Sequence, residues 1–432
     1  MIVLKAVAAC WLGLAVSAQA IADPRCAADN AGLTLPEGFC AWVYADTGSG
    51  PRHITVSREG VLYANLGGLL NGKSILALAD SDGDGKADKR GHFGEHAGNS
   101  IALLDGYLYA SMNNMIVRYP IKPGALTPSG VAEVVVEGFP VQRGHRAKTF
   151  AIDPLGRAIY VNVGAPSNAC QEQARTPGSP GLQPCPQRER QASVWRFRAD
   201  QLNQQQLVDG VKYASGTRNL IAMAWDNKTR SLYAVQHGRD QLHDLWPHLF
   251  TEEQSAELPA EEFLLISRGA DFGWPYCYYD PMKKQRVLAP EYGGDGNEAG
   301  RCARYTAPVY AFPAHFAPNG LVFYDAEQFP ARYRDGAFVA FHGSWNRRPF
   351  EQKGFLVAFV PFSNGKPSGE WEIFANGFAG KQFISHPSVA DHRPMSVAIG
   401  PDGTLYIGDD KGGRIWRVRY VGNERSNAGA AK

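Results

Sequence analysis

An all-β fold, a six-bladed β-propeller with four-stranded antiparallel blades, is what this sequence predicts. Three observations carry it. One strand-turn-strand pattern recurs six times, as HITVSREGVLYANLGG, SIALLDGYLYASMNN, TFAIDPLGRAIYVNVGA, IAMAWDNKTRSLYAVQHGR, GLVFYDAEQFPARYRDGAFVAFHGS and SVAIGPDGTLYIGDDKGG. The aligned aromatics Tyr63, Tyr109, Tyr160, Tyr233, Phe338 and Tyr406 are always further apart than one hairpin needs, so each interval has room for a whole blade. The composition, with Gly 47, Pro 28 and 11% aromatic residues, suits a turn-rich β-protein with a substantial core. Small sheets set radially bury both faces and leave little open edge, which is why such repeats close into a ring. Length alone would suggest two or three domains. The repeat replaces that expectation with a single domain over residues 21–432.

Residues 1–20 read as a cleaved secretory signal. Lys5 is followed by an apolar stretch at 6–16 and by the small-residue site Ala18-Gln19-Ala20. That stretch is too short for a bilayer span, and no later run of about 18 apolar residues follows, so the expected product is periplasmic or secreted with no membrane span. Removing the signal removes Cys10 and leaves Cys26, Cys40, Cys170, Cys185, Cys277 and Cys302, an even set in an oxidising compartment. Disulfides are expected; of the possible pairings, sequence neighbours need the least rearrangement of the chain. No Cys-x-x-Cys-His occurs, so covalent haem is not indicated. Lys and Arg number 44 against 42 Asp and Glu, without long basic runs, which excludes nucleic acid as a first partner class.

After the first repeat comes DSDGDGKAD, in which Asp80, Asp82, Asp84 and Asp88 are spaced like the start of an EF-hand, with Gly85 permitting a tight turn. Position 12 is Gly91 rather than Glu, so the reading is a structural Ca²⁺ loop apart from any active site. The third repeat carries an insertion at 165–191 rich in Pro, Gly and Gln. The longest interval, from Tyr233 to Phe338, holds DFGWPYCYYD with Cys277 and Cys302. Both loops are candidate walls of a binding mouth. The fifth repeat ends in FVAFHGSWNRRPF, an apolar strand running straight into donors and cations where a turn needs only Gly, Asn or Asp. The residues after the second strands, NVGA, QHGR, FHGS and GDDK, differ in chemistry, whereas a purely structural repeat would reuse one turn.

In a propeller, equivalent positions of successive blades face one central mouth. Just before the first strands lie Arg52, His53, His145, Arg218, Asn219, His315 and Arg393; after the second strands lie His237, Arg239, the stretch from His342 to Arg348 with Trp345, Asn346 and Arg347, and the stretch from Asp409 to Lys411. A rim of guanidinium groups, an ammonium and imidazoles suits a small planar polyanion, because guanidinium binds carboxylates in bidentate fashion.

The stretches GHRAKTFAID, GTRNLIAMAW with QHGRDQLHDLWP, DFGWPYC, HFAPNGLVFY, FPARYRDGAFVAFHGSWNR and RPMSVAIGPDGTLYIGDDKGGRIWRV resemble the soluble pyrroloquinoline quinone (PQQ) dependent sugar dehydrogenases, nearest to the sorbosone and pyranose branch. The resemblance runs over about residues 38–419. It implies PQQ and calcium at the axial mouth and an aldose, sorbosone or related sugar as electron donor. By the same resemblance His145 is the general base, Arg218 and Asn219 contact the quinone, and the carbonyls of Gly238 and Arg239 hold calcium. The family's glucose enzymes carry Pro where this chain has Arg239, and the resemblance places their Lys of the fifth repeat at Asp325. The PQQ carboxylates are therefore expected to meet Arg347, Arg348, Arg393 or Lys411.

Sugar oxidation removes a hydroxyl proton and transfers hydride to an electrophilic carbon, and a neutral His is suited to take that proton near neutral pH. Arg218 would stabilise the oxyanion, and His315 is the alternative base. With no cytochrome module in the sequence, electrons must leave to a separate acceptor. Two other readings share the fold: a calcium-dependent lactone hydrolase, which would need a metal ringed by acidic side chains, and a non-catalytic propeller that binds a glycan or a protein.

Overall fold

The computed structural model describes residues 26–422, so the expected signal at 1–20 lies outside the described residues. Six blades of four antiparallel strands make the propeller, and the second blade gains a short fifth strand, Gln204–Gln205, paired in parallel with its outer edge. Blade 1 is Pro51–Val56, Leu62–Leu70, Lys73–Ala79 and Lys89–Phe93, and blade 2 begins with Gly98–Leu104 and Tyr107–Met112. Blade 3 begins with Phe150–Ile152 and Ala158–Val163, blade 4 with Leu220–Asp226 and Ser231–Gln236, and blade 5 with Pro318–Phe323 and Ala337–Phe341. Blade 6 takes Pro394–Ile399, Leu405–Asp409 and Arg414–Tyr420 from the end of the chain and its outer strand, Phe39–Asp46, from the beginning. That pairing closes the ring. The first strands of neighbouring blades touch all the way round, so they line the axis.

The six aligned aromatics each lie buried on the second strand of a blade, as the repeat predicts. Each interface between blades has its own apolar core. Blades 1 and 2 meet around Tyr63, Ile75 and Leu108, and blades 5 and 6 around Phe338, Phe359, Phe374 and Trp416. A propeller therefore has no single centre of hydrophobicity, and the axis is left free for polar groups.

Strands alternate in direction, so the loops emerge at two faces. One face, the mouth, carries the chain entering each first strand and the loops after each second strand. The opposite face carries the loops joining first to second and third to fourth strands. By this rule Asp80, Asp82, Asp84 and Asp88, between Lys73–Ala79 and Lys89–Phe93, lie opposite the mouth.

The three neighbour disulfides are present, Cys26–Cys40, Cys170–Cys185 and Cys277–Cys302. The last two share one core with Ala165, Trp274, Tyr276 and Tyr305, which fuses the two long insertions into one wall. Trp274 Nε1 donates to the Asn168 carbonyl at 3.0 Å and the Tyr276 hydroxyl accepts from Cys185 N at 3.1 Å, crossing from one insertion to the other.

Candidate active site

In blades 1, 2, 4, 5 and 6 the first strand has a register shift at its mouth end, as between Pro51 and Ile54 or Pro318 and Gly320. Such bulges re-aim side chains, here toward the mouth. Just ahead of the first strands, His145 and His315 hold left-handed backbone, with φ of 48° and 64°. That conformation is costly for a residue with a side chain and persists only where its surroundings enforce it.

Two polar clusters result. The first centres on Arg218, only 3% exposed, whose guanidinium donates to Asp240 at 2.7 Å and to the side-chain oxygen of Asn168 at 3.1 Å. Asp240 also accepts from Arg175 at 2.9 Å. Burial pushes the Asp240 carboxyl up, but the Arg218 and Arg175 guanidiniums outweigh it and hold it at about 2. His145 and Asn219 flank Gly164, where an added Cβ would come 2.9 Å from the His145 Cβ and 3.1 Å from Asn219 Oδ1. Only glycine leaves those two side chains room. His145 Nδ1 lies 2.6 Å from the Ala165 carbonyl, so Nδ1 carries the proton and Nε2 the lone pair. Burial, with the nearby Arg218 charge, lowers the imidazole to about 3 and keeps it neutral.

The second cluster centres on Asp410, which accepts from Arg52 and from His342 Nε2, both at 2.6 Å. Burial opposes its ionisation, yet His342 and Arg52 hold it below the usual carboxylate range. Arg52, Asn99, Asn113, Arg146 and Asp410 line a cavity of about 530 Å³. Between the clusters, His237 Nε2 reaches the Pro318 carbonyl and Asn319 Oδ1, both at 2.9 Å, while His53 Nε2 reaches the Asn319 carbonyl at 2.8 Å. These three side chains form a floor across the axis, with Asn319 buried and the two histidines half-buried, and desolvation lowers both imidazoles to about 4.

The cations on and around the basic loop after Ala337–Phe341 are committed to the protein itself. Arg393 donates to the carbonyls of His342 at 2.9 Å and Gly343 at 2.8 Å. Arg347, 2% exposed, donates to the Ala256 carbonyl and pairs with Glu257. Lys411 donates to the carbonyls of Ser388 and Ala390. Of the four residues expected to meet the PQQ carboxylates, only Arg348 is exposed with its charge uncommitted among the described residues. Trp345 is exposed and Asn346 lies 3.3 Å from His315 Nε2, which itself donates to the Ser255 carbonyl at 2.9 Å.

The structure thus brings His145, Arg218, Asn219, His237 and Arg52 to one mouth, with His315 turned to the Ser255 carbonyl of the mouth segment that precedes Glu261–Leu265. Arg239 points its side chain away, into a buried pair with Glu291, leaving its backbone beside Gly238 at the mouth. Asp325 sits on the opposite face, where it accepts from Asn227 at 3.2 Å, so its comparison with a cofactor-holding Lys is withdrawn. Blade 5 turns His342 to the mouth instead. In the acidic loop, single carboxylate oxygens of Asp80, Asp82 and Asp84 lie within 4.8 Å of one another. Asp88, the residue before the return strand Lys89–Phe93, departs from them and accepts from Ser81.

Sequence reasoning missed Asn168, Asp240 and Glu261, and it placed Asp410 on the rim without reading it as the partner of Arg52 and His342. Asp240 stands inside the quoted QHGRDQ, next to Arg239, and an acid adjacent to a cationic rim was the available signal. Glu261 accepts from Gly238 N at 2.7 Å and Ala317 N at 3.0 Å, tying two mouth loops together, and burial raises it to about 8.

A family model described as TrAA12-like matches residues 33–421. An uncharacterised protein of Borreliella burgdorferi is 27% identical over 209 residues, 48% of this chain and 48% of that protein. A PQQ-dependent pyranose dehydrogenase of Coprinopsis cinerea is 24% identical over 172 residues, 34% of this chain and 22% of that enzyme. The chain therefore spans half or less of the length of these curated relatives. Among solved structures, the holo PQQ domain of the Coprinopsis cinerea pyranose dehydrogenase superposes with a TM-score of 0.71 at 19% identity, covering 90% of this chain and 97% of that one. A calcium structure of the Trichoderma reesei family AA12 carbohydrate-active enzyme gives 0.72 at 16% identity, covering 90% and 97%. The apo-form of the soluble aldose sugar dehydrogenase of Escherichia coli gives 0.57 at 13% identity, covering 88% and 99%. At these identities the structural likeness shows the fold.

Proposed function

The chain belongs to the TrAA12-like family, and from that premise we propose that it is an exported quinoprotein sugar dehydrogenase, using PQQ and Ca²⁺ to oxidise an aldose, sorbosone or related sugar. The observation that carries the reading is the pairing of a neutral, tautomer-fixed His145 with a buried Arg218 at one mouth. Arg218 Nε and Asn219 Oδ1 are buried there without hydrogen-bond partners among the described residues. Such orphaned atoms are costly unless a ligand meets them, and they fit the quinone contact that the family resemblance assigns to this pair. The Gly238 and Arg239 carbonyls would hold the calcium, and Arg52, Arg146 and Arg348 are the cations best placed for carboxylates.

Bound PQQ and Ca²⁺ supply the electrophilic carbon and the Lewis acid that hydride transfer needs. The protein supplies the rest. His145 Nε2 accepts the hydroxyl proton of the sugar, and the Ala165 carbonyl keeps Nδ1–H in place and stabilises the imidazolium that forms. Arg218, held by Asp240 and Asn168, aims fixed positive charge at the developing oxyanion. A lactone hydrolase would need uncommitted carboxylates around its metal, whereas Asp240 and Asp410 are both paired with guanidiniums. We assign Asp80, Asp82 and Asp84 to a separate, structural calcium loop.

The test is reconstitution of the apo-protein with PQQ and Ca²⁺, followed by dye reduction over a panel of aldoses. Turnover that requires both additions supports the reading. A protein that binds neither, or reduces no dye with any aldose, overturns it.

A further inference from the structure

Trp345 is 46% exposed, although the loop that carries it is among the most firmly held at the mouth. Arg393 grips the loop through the carbonyls of His342 and Gly343, and Arg347 anchors it to Ala256 and Glu257. Within it Ser344 Oγ donates to Gln352 at 2.8 Å. A large apolar side chain left in water on a rigid support is the signature of a binding surface rather than of a loose loop.

What lies beneath Trp345 connects it to the buried centre. The Arg175 guanidinium stacks on the indole, 5.7 Å from its centroid. Arg175 also pairs with Asp240 at 2.9 Å, and Asp240 pairs with Arg218 at 2.7 Å. Its own backbone is left-handed, with φ of 55°, on the insertion closed by Cys170–Cys185. The side chain of Arg175 is 41% exposed and also donates to Gln241 Oε1, which leaves further guanidinium N–H groups without a partner among the described residues. Asn346 adds an amide on the same loop.

We propose that Trp345 and Arg175 form the platform on which the pyranose ring of the sugar lies at the mouth, with the axial C–H face of the ring on the indole and its hydroxyl edge toward the guanidinium. This rests on the sugar dehydrogenase reading and deepens it, moving Trp345 from the cofactor to the substrate. A closed ring presents a flat apolar face that an aromatic plane can cover. An open-chain polyol of the same carbon number does not, so the platform selects cyclic sugars.

The experiment compares the reconstituted wild type with Trp345→Ala and Trp345→Phe, using D-glucose and D-sorbitol as probes. Trp345→Ala is expected to raise KM for glucose about tenfold with kcat nearly unchanged, the mark of binding lost equally in ground and transition states, and Trp345→Phe to restore most of it. Titrating glucose, but not sorbitol, into the wild-type protein should change the indole fluorescence that disappears in the Phe variant. If glucose is turned over and KM is unchanged in Trp345→Ala, the platform is wrong and the dehydrogenase reading stands. If the wild type turns over no sugar but the glucose-dependent fluorescence change is present, the platform stands and the oxidation reading falls. Absence of both overturns both.

Discussion

The mouth and the opposite face are built from the two ends of the same strands, yet they differ in almost every physical respect. At the mouth five of the six first strands are bulged, His145 and His315 sit in left-handed backbone, and Arg218, Asp240 and Glu261 are buried. On the opposite face the acids of the Asp80–Asp84 turn are mostly exposed and bond to the amides of their own loop, as Asp80 does with Gly83 N and Gly85 N at 2.7 and 2.9 Å. The propeller cores between blades are indifferent to which end carries charge. What the contrast teaches is that strain and burial of charge together, not charge alone, mark the working end of this fold.

The sharpest test of that contrast is His145→Ala, expected to lower turnover by about 10²–10⁴, the usual worth of a positioned base, while leaving PQQ binding intact. Stopped-flow reduction of bound PQQ by sugar isolates this step from the unknown acceptor. His315→Ala should leave the same rate within about twofold, since His315 faces the Ser255 carbonyl; the opposite outcome would make His315 the base.

Arg218→Ala leaves Asp240 buried with one guanidinium instead of two, and a loss of about 3–5 kcal/mol in chemical denaturation is expected. The pH dependence has a definite sign. Asp240 titrates lower in the folded protein, at about 2, than an ordinary carboxylate, so its contribution is present above about pH 4 and lost as pH falls toward 2. Stability curves of wild type and Arg218→Ala should converge at the acid end; parallel curves would remove Asp240 from the account.

Between the faces stands the insertion wall. Replacing Cys277 and Cys302 together with Ser should cost about 2–4 kcal/mol for freeing a loop of sequence separation 25. Because that wall carries Trp274 against Asn168, which positions Arg218, turnover should fall with it. Loss of stability with full turnover would uncouple the wall from the site.

The smallest effect belongs to the opposite face. Asp82→Ala with Asp84→Ala should lower Tm in Ca²⁺ by a few degrees, as one weak exposed site would, and leave PQQ affinity unchanged. A collapse of cofactor affinity in that variant would join the two faces after all.

Legible in the sequence were the features that are local or periodic. The six strand-turn-strand copies announced six blades, since a side-chain period of two and a turn every few residues are properties of short segments. His145, Arg218 and Asn219 could be placed at one mouth because equivalent phase in a closed ring means proximity, and six cysteines in sequence-adjacent pairs formed the expected bridges. What only the tertiary structure decided was which charges are free. Arg347 and Arg393 read as cofactor ligands, yet both hold the loop after Ala337–Phe341, one from within it and one from blade 6, because their partners Glu257, His342 and Gly343 come into reach only after folding. Asp240 was missed, and Asp410, although placed on the rim, was not read as its counter-ion, for the same reason: Arg52 and Asp410 are 358 residues apart in the chain and 2.6 Å apart in space. Asp325 changed faces once strand direction was known. A sequence states which groups are charged, but whether a charge is available depends on its distance to the opposite one, and that distance is a property of the fold.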